Sequence, residues 1–177
     1  MTEQIIHTSS MPALVTDVSE WLADRSLKGA TFGELLEGCA KRLHAIGVPV
    51  WRLHIAYETL HPLFDGMGGT WRRQSGLELE EYENIDGGEN NAQWAQSPLK
   101  YMIDNDLPFL RRKLIGDEAL VDFPILEEFR DDGATEWIGF IVAFDESSQT
   151  GLIGSWATDR EGGFSDSHLQ ALLLSLI

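Results

Sequence analysis

The chain has 177 residues, of which 43% are hydrophobic and 24% charged, a composition typical of a globular protein of about one domain. Its 29 Asp and Glu outnumber 13 Lys and Arg, and the formal net charge of −16 repels phosphate backbones and anionic lipid surfaces. No apolar run approaches the roughly 20 residues that span a bilayer, and the start has no basic segment followed by an apolar one. We therefore expect a cytoplasmic protein that binds neither nucleic acid nor membranes.

The beginning of the chain predicts an arm followed by a helix. Residues 1–11 have no periodic pattern, which predicts a disordered N-terminal arm. From Pro12 to about Lys28, apolar side chains recur at the spacing of one helix face. They are Leu14, Val18, Trp21 and Leu22.

A second helix and a strand follow. Thr31 and Glu34 have the spacing of a capping box, in which each side chain accepts a hydrogen bond from the other residue's backbone amide, and they predict a helix start. Gly47 predicts the end of this helix. From Val50 the apolar period shortens from 3.6 residues to 2, which predicts a strand. Trp51, Leu53, Ile55 and Tyr57 alternate there with Arg52, His54, Ala56 and Glu58.

The middle of the chain predicts short elements joined by turns. Residues 77–91 are acidic and contain glycines, so we expect a mobile surface segment there. Ser97 followed by Pro98 is a typical helix start. The predicted elements are a strand at residues 70–74, a helix from Ser97 to about Asn105, a strand at residues 108–115 and a helix from about Asp122 to Gly133.

The last part predicts a hairpin and a closing helix. Residues 137–144 are apolar on both faces, which is typical of a central strand, and residues 152–157 return beside them. Ser165 caps a helix with a Leu-rich stripe. The chain stops at Ile177 without a helix cap, so we expect this helix to continue in a longer protein. The element order predicts an α+β fold for residues 12–177, with an antiparallel sheet, a helix bundle on one face, and loops and short helices on the other.

Five segments of the sequence resemble one known family. They are Trp51-Arg52-Leu53-His54, Thr59-Leu60-His61-Pro62-Leu63, Thr70-Trp71-Arg72-Arg73, Thr158-Asp159-Arg160 and Gly162-Gly163-Phe164-Ser165-Asp166. Together they resemble the N-terminal region of bacterial class III adenylate and guanylate cyclases, which looks like a GAF domain. The resemblance implies a GAF-like sensor domain that dimerises and regulates a cyclase domain that converts ATP to cyclic AMP. That catalytic domain is not in this chain, so we expect no enzyme activity from the chain alone.

The resemblance also implies a ligand pocket on the sheet face away from the helices. If the apolar set of the first strand faces the helices, the alternation of the strand directs Arg52 and His54 to the pocket. Trp71 or Arg73 from the second strand would join them there. The candidate ligand is a small-molecule effector. The candidate ligand-binding residues are Arg52, His54, Trp71 and Arg73, and the set expected to face the helices is Trp51, Leu53 and Ile55.

Two basic clusters occur in this acidic chain, Arg72-Arg73 and Arg111-Arg112-Lys113. On neighbouring strands they would converge on an anionic ligand such as a nucleotide or a carboxylate. Alternatively, the glutamates of residues 78–89 pair with these basic residues, which would make them ordinary surface ion pairs. The sequence leaves both interpretations open.

We expect no metal and no cofactor. His54, Glu58 and His61 would share a metal-binding face only on a helix, and their segment predicts a strand. Cys39 lies on the apolar stripe of the second helix, where we expect a core residue and not an attachment point for a bilin chromophore. No glycine-rich phosphate loop or nucleophile motif occurs. The alternative function is a stand-alone enzyme of the same fold that acts on a small molecule, which would need a polar cleft with shifted pKa values.

A homodimer is the expected assembly. Trp21 on the first helix and the Leu-rich stripe of the closing helix offer more apolar surface than one sheet face needs to cover. We therefore expect these helices to form the contact between two copies of the chain.

Overall fold

A computed structural model describes residues 11–58, 66–82, 89–143 and 151–175. Within these ranges the chain forms six helices and six strands. The helices are α1 (Met11–Leu27), α2 (Phe32–Ala45), α3 (Glu89–Ala95), α4 (Pro98–Asp104), α5 (Pro124–Asp131) and α6 (Asp166–Leu174). The strands are β1 (Arg52–Glu58), β2 (Gly66–Arg72), β3 (Gly76–Tyr82), β4 (Phe109–Lys113), β5 (Glu136–Ala143) and β6 (Gly151–Thr158). Apart from Met11, the predicted N-terminal arm lies outside the described residues, as does the chain end at Ile177.

The six strands form one antiparallel sheet in the order β3-β2-β1-β6-β5-β4. Strands β1 and β6 occupy its centre, so residues 52–57 of β1 have a neighbour on both sides. Leu53, for example, lies between Trp71 of β2 and Trp156 of β6. The predicted α+β class and antiparallel sheet are confirmed.

One face of the sheet is covered by α1, α2 and α6, which form the helix layer. All three helices contribute to a single core with this face of the sheet. Phe140 and Trp156 stack in this core with ring centroids 4.1 Å apart. The close contact between α1 and α2 depends on Gly38, because a Cβ there would come within 2.1 Å of the Trp21 ring. The buried residues of this core include Val15, Leu36, Leu43, Leu53, Trp71, Ile138, Phe164 and Leu172.

The opposite face carries a second core, formed with α4 and α5 over the β4-β5-β6 side of the sheet. Its largest members are Trp51 and Trp137, and Trp51 meets Phe129 of α5 edge to face. The prediction that Trp51 faces the helix layer together with Leu53 is therefore wrong. The strand alternation begins only at Arg52, so Trp51 and Arg52 lie on the same face although they are consecutive.

Several element boundaries differ from the predicted ones. Residues 76–82 form the edge strand β3, whereas a mobile acidic segment was predicted there. In β3 the leucines Leu77 and Leu79 alternate with glutamates and lie on the face of the helix layer, opposite Trp71 and Gly69. Helix α3 was not predicted, and β4 lies at the other edge of the sheet. None of the described helices is both long and apolar enough to cross a membrane.

The predicted helix starts are confirmed. The Thr31 amide donates to Glu34 Oε2 at 2.8 Å, and the Glu34 amide donates to Thr31 Oγ1 at 3.3 Å, so α2 begins with a complete capping box. Ser97 caps α4 and Ser165 caps α6 in the same way, through the side-chain oxygen. These caps use contacts within three residues, which explains why the sequence alone located them.

Candidate functional site

A buried polar cluster lies on the sheet face away from the helix layer. Its members come from the three adjacent strands β1, β2 and β6, because His54 is opposite Thr70 on one side and Ser155 on the other. Residues directly opposite one another share a face. Thr70 and Ser155 are 1% and 2% exposed, and His54 is 9% exposed. At strands β1, β2 and β6, the sheet face away from the helix layer is thus polar, whereas the face towards the helix layer is apolar.

Arg52 is the charged member of this cluster, and Arg72, which pairs with Glu78, lies opposite it on β2 at the border of the cluster. Arg52 Nη1 donates to Ser155 Oγ at 3.2 Å and its Nη2 to Thr70 Oγ1 at 3.3 Å, while the guanidinium carbon lies 4.9 Å from the ring centre of Phe129. Arg52 Nε is buried without a hydrogen-bond partner. No carboxylate of the described residues forms an ion pair with Arg52. Its partly buried charge therefore has no direct ion pair, and Glu80 attracts it only from beyond ion-pair distance, so burying this charge is costly.

Burial also determines the protonation of the cluster. Burial and the nearby charge of Arg72 lower the pKa of the Arg52 guanidinium from 12.5 to about 10, so Arg52 stays charged at neutral pH. Burial, together with the charge of Arg52, lowers the pKa of His54 to about 3, so the imidazole is neutral. His54 Nδ1 lies 3.0 Å from Thr70 Oγ1. At neutral pH the cluster therefore carries the single charge of Arg52.

The cluster is better suited to binding than to acid-base catalysis. A catalytic base works best when its pKa lies near the working pH, whereas the pKa of His54 is about 3. A positive charge developing on His54 would also be opposed by Arg52. Thr70 and His54 lie within the distance expected of a nucleophile and its general base, but His54 does not have the pKa of a base. An anion placed beside Arg52, in contrast, would neutralise a charge and meet an available N–H donor.

Strand β3 extends this polar face towards the edge of the sheet. Glu78 and Glu80 are opposite Thr70 and Gly68, and Arg72 Nη1 lies 3.6 Å from Glu78 Oε2. The Tyr82 hydroxyl donates to Glu80 Oε2 at 2.6 Å. Burial and this hydrogen bond raise the pKa of Tyr82, so its phenol stays protonated.

Comparison with solved structures decides the fold. No family model and no curated protein matches this sequence. Among solved structures, the phycocyanobilin-bound GAF domain of a cyanobacterial phytochrome superposes with a TM-score of 0.52 at 12% identity, over 90% of this chain and 88% of the other. A phycoerythrobilin-bound GAF domain of a cyanobacterial phytochrome gives 0.51 at 11% identity, over 92% and 93%. The chain has a GAF-like fold. At these identities the likeness establishes the fold alone.

Within this GAF-like fold, two of the four predicted site residues come together. Arg52 and His54 lie side by side on the face away from the helix layer, whereas Trp71 lies on the opposite face, buried in the core. Arg73 follows β2 and forms an ion pair with Asp159. The structure therefore does not bring Trp71 or Arg73 to the cluster. Sequence reasoning missed Thr70, Ser155, Glu80 and Tyr82, which only the pairing of the strands identifies.

The basic clusters do not converge on a common site. Each cation of the two clusters has a carboxylate partner, and among the glutamates at residues 78–82, which the structure describes, only Glu78 pairs with one of them, Arg72. The other cations pair with carboxylates elsewhere: Glu136 on β5 and Asp159 after β6 are distant in sequence, whereas Glu118 and Asp122 follow β4. The pairs are Arg72 with Glu78, Arg73 with Asp159, Arg111 with Glu136, Arg112 with Asp122 and Lys113 with Glu118.

Cys39 lies on the other side of the sheet from Arg52. Its side chain is half-buried on α2 and packs against the core of the helix layer. Burial raises the pKa of the thiol to about 12, so it remains protonated and unreactive. Among the described residues, no three His, Cys, Asp or Glu side chains are grouped to hold a metal ion. His61, considered above with His54 as a metal ligand, lies outside the described ranges.

An open cleft of about 430 Å³ lies at the end of β4, away from Arg52. Three of its charged side chains are already engaged, since Lys113 pairs with Glu118 and the buried Glu136 pairs with Arg111, while Asp117 is exposed to solvent. The cleft therefore lacks a buried charged group without an ion pair, which is what distinguishes the Arg52 cluster. Arg52 is therefore the better centre for a candidate site.

Proposed function

We propose that this chain is a sensor domain that binds a small anionic effector at Arg52. The observation that carries this proposal is the partly buried Arg52 guanidinium, which has a buried Nε without a partner and no ion pair among the described residues. Thr70 and Ser155 hold the guanidinium in place, so little ordering is required when an anion binds. Phe129 covers one side of it and limits access of water.

Native mass spectrometry of the purified chain tests this proposal. We expect a retained small molecule on the wild-type chain and about tenfold less of it on Arg52→Met, which keeps the side-chain length but removes the charge. The matched control is Arg130→Met, because Arg130 is exposed on α5 and contacts only the neighbouring Asp131. Equal retention by the wild type and Arg52→Met would contradict an anion site at Arg52.

We further propose that the domain dimerises and regulates an adenylate cyclase. The cyclase part rests on the resemblance of the five segments quoted above. For the dimer, α1 and α6 lie side by side, with Ser19 Oγ donating to the Leu174 carbonyl at 3.4 Å, and they expose Leu27, Leu173 and Leu174. Trp21 is half-buried because the Arg42 guanidinium lies 3.6 Å above its ring. The contact would therefore rest mainly on the leucines.

Placing a charge on α6 is expected to weaken the dimer. Leu173 is 46% exposed, so Leu173→Glu should leave the fold intact and raise the dimer dissociation constant at least about tenfold, because a carboxylate would be buried in the contact. Sedimentation velocity at several concentrations measures the change. Leu120→Glu is the control, since Leu120 is 50% exposed on a loop distant in sequence from α1 and α6. Unchanged association of Leu173→Glu would exclude this surface.

The cyclase assignment has its own test in the gene. A reading frame that continues beyond the codon of Ile177 into a domain with two metal-binding carboxylates would support it. The purified chain is expected to make no cyclic AMP from ATP. Reproducible cyclic AMP formation by the chain alone would instead favour the stand-alone enzyme.

A further inference from the structure

Strand β3 adds an acidic group to the sheet face that carries Arg52. Glu78 and Glu80 both lie on this face, opposite Thr70 and Gly68 of β2. Glu78 is exposed and lies 3.6 Å from Arg72. Glu80 is half-buried and forms no ion pair with any residue in the described ranges. Glu80 is therefore a second charge on this face without a direct ion pair, and it attracts Arg52 only from beyond ion-pair distance.

The two charged groups without a direct ion pair lie over positions of β2 that are two residues apart. Because Arg52 Nη2 donates to Thr70 Oγ1, the guanidinium lies over Thr70. The Glu80 carboxylate accepts from the Tyr82 hydroxyl, and this hydroxyl lies over Gly68, where an added Cβ would be 2.6 Å from it. Two residues along a strand span about 7 Å. A cation and an anion thus lie on the same face of the sheet, over positions about 7 Å apart along β2.

We propose that the effector is a small amino acid zwitterion, with its carboxylate on Arg52 and its ammonium group on Glu80. This inference rests on the proposed function and adds the second half of the ligand to it. The carboxylate receives the free Nε–H of Arg52, and the ammonium group donates to the carboxylate of Glu80. The Tyr82 hydroxyl holds that carboxylate at its position over β2.

Other ligand classes leave one of the two charges without a partner. A simple carboxylate would neutralise Arg52 and leave Glu80 desolvated, which is costly. A dicarboxylate or a phosphate ester would place further negative charge near Glu78 and Glu80, in a chain with a net charge of −16. A zwitterion satisfies both groups and adds no net charge. The spacing of about 7 Å along β2 favours a short separation between its two charged ends.

Calorimetric titration with matched pairs of compounds tests the inference. The probes are glycine, γ-aminobutyrate and ε-aminocaproate, each compared with acetate, butyrate or caproate, which lack the amine. We expect the best amino acid to bind at least about tenfold more tightly than its matched carboxylate, because only the amino acid forms a second charged contact. We also expect the preference to be smaller for ε-aminocaproate, whose ends are farthest apart.

Substitutions on β3 test whether the preference for amino acids over simple carboxylates comes from the Glu80 side chain. Glu80→Gln should reduce the preference for the amine to less than about twofold while binding of the simple carboxylate stays within about twofold of wild type. Glu81→Gln is the matched control, because Glu81 is the next residue on the same strand and lies on the opposite face. It should keep the full preference.

The outcomes separate the inference from the proposed function. Equal binding of amino acids and simple carboxylates by the wild type would overturn the zwitterion and leave an anion sensor. Loss of the preference in Glu81→Gln but not in Glu80→Gln would also overturn it. Binding of neither class, with no retained anion in native mass spectrometry, would overturn both proposals.

Discussion

Replacing Glu136 with Ala is expected to lower the free energy of unfolding by about 3 kcal/mol. Glu136 is 0% exposed, yet both of its carboxylate oxygens have partners: Oε1 accepts from Arg111 Nε, and Oε2 accepts from the Phe164 amide at 2.6 Å. Arg111 also donates from Nη2 to the Phe164 carbonyl at 3.1 Å. Removal of the carboxylate would leave the buried Phe164 amide without an acceptor and the partly buried Arg111 guanidinium without its counter-charge, which explains the size of the loss.

The contact matters because it attaches α6 to the sheet. Gly163 has a φ of +69°, and a Cβ at this position would lie 2.3 Å from Glu136 Oε2, so the turn before α6 wraps closely around the carboxylate. Phe164 is thereby fixed in the core and Ser165 at the cap of α6. Without Glu136 we expect faster hydrogen exchange at the Phe164 amide and at the first turn of α6.

Urea unfolding followed by tryptophan fluorescence measures the effect, with Glu118→Ala as the control. Glu118 also pairs with a cation, Lys113, but its side chain is 75% exposed, so its removal is expected to leave the urea midpoint close to that of the wild type. A loss below about 1 kcal/mol in Glu136→Ala would contradict the role of the buried pair.

The parts of the fold that could be predicted are those set by nearby residues. The capping box of Thr31 and Glu34 and the cap at Ser165 involve groups three residues apart, and both were located from the sequence. Strand β3 had an equally local signal, since Leu77 and Leu79 alternate with glutamates. Its acidic composition suggested a surface loop instead, because the apolar face of an edge strand is narrow and easily missed.

The candidate site was predicted only in part because it depends on strand pairing. The alternation of β1 alone placed Arg52 and His54 on the correct face. Predicting the face of Trp71 requires the register of β2 against β1, which places Trp71 opposite Leu53 in the core of the helix layer. No local pattern shows that Ser155 lies beside His54, since the two residues are 101 positions apart in the sequence. The partner of Arg111 was missed for the same reason.

Replacing Arg52 with Met is expected to stabilise the ligand-free chain by at least about 1 kcal/mol, although it removes the proposed effector site. We expect a gain in stability, and not a loss, because of the groups that surround the Arg52 side chain. Arg52 makes two hydrogen bonds to neutral hydroxyls but forms no ion pair with the described residues, and its Nε has no partner. A neutral side chain of similar length avoids the cost of burying this charge, while Thr70 keeps its contact with His54.

The decisive comparison is the same substitution at a paired arginine. Arg112 binds Asp122 through two nitrogens, Nε and Nη2, each 2.9 Å from a carboxylate oxygen, and its side chain is 14% exposed. Arg112→Met is therefore expected to destabilise the chain by about 1 to 3 kcal/mol. Both variants are refolded from urea and dialysed to remove retained ligand before their unfolding is measured. Opposite signs would mean that Arg52 is maintained at a cost in stability, as expected for a residue that serves binding, whereas equal destabilisation would make Arg52 a structural residue.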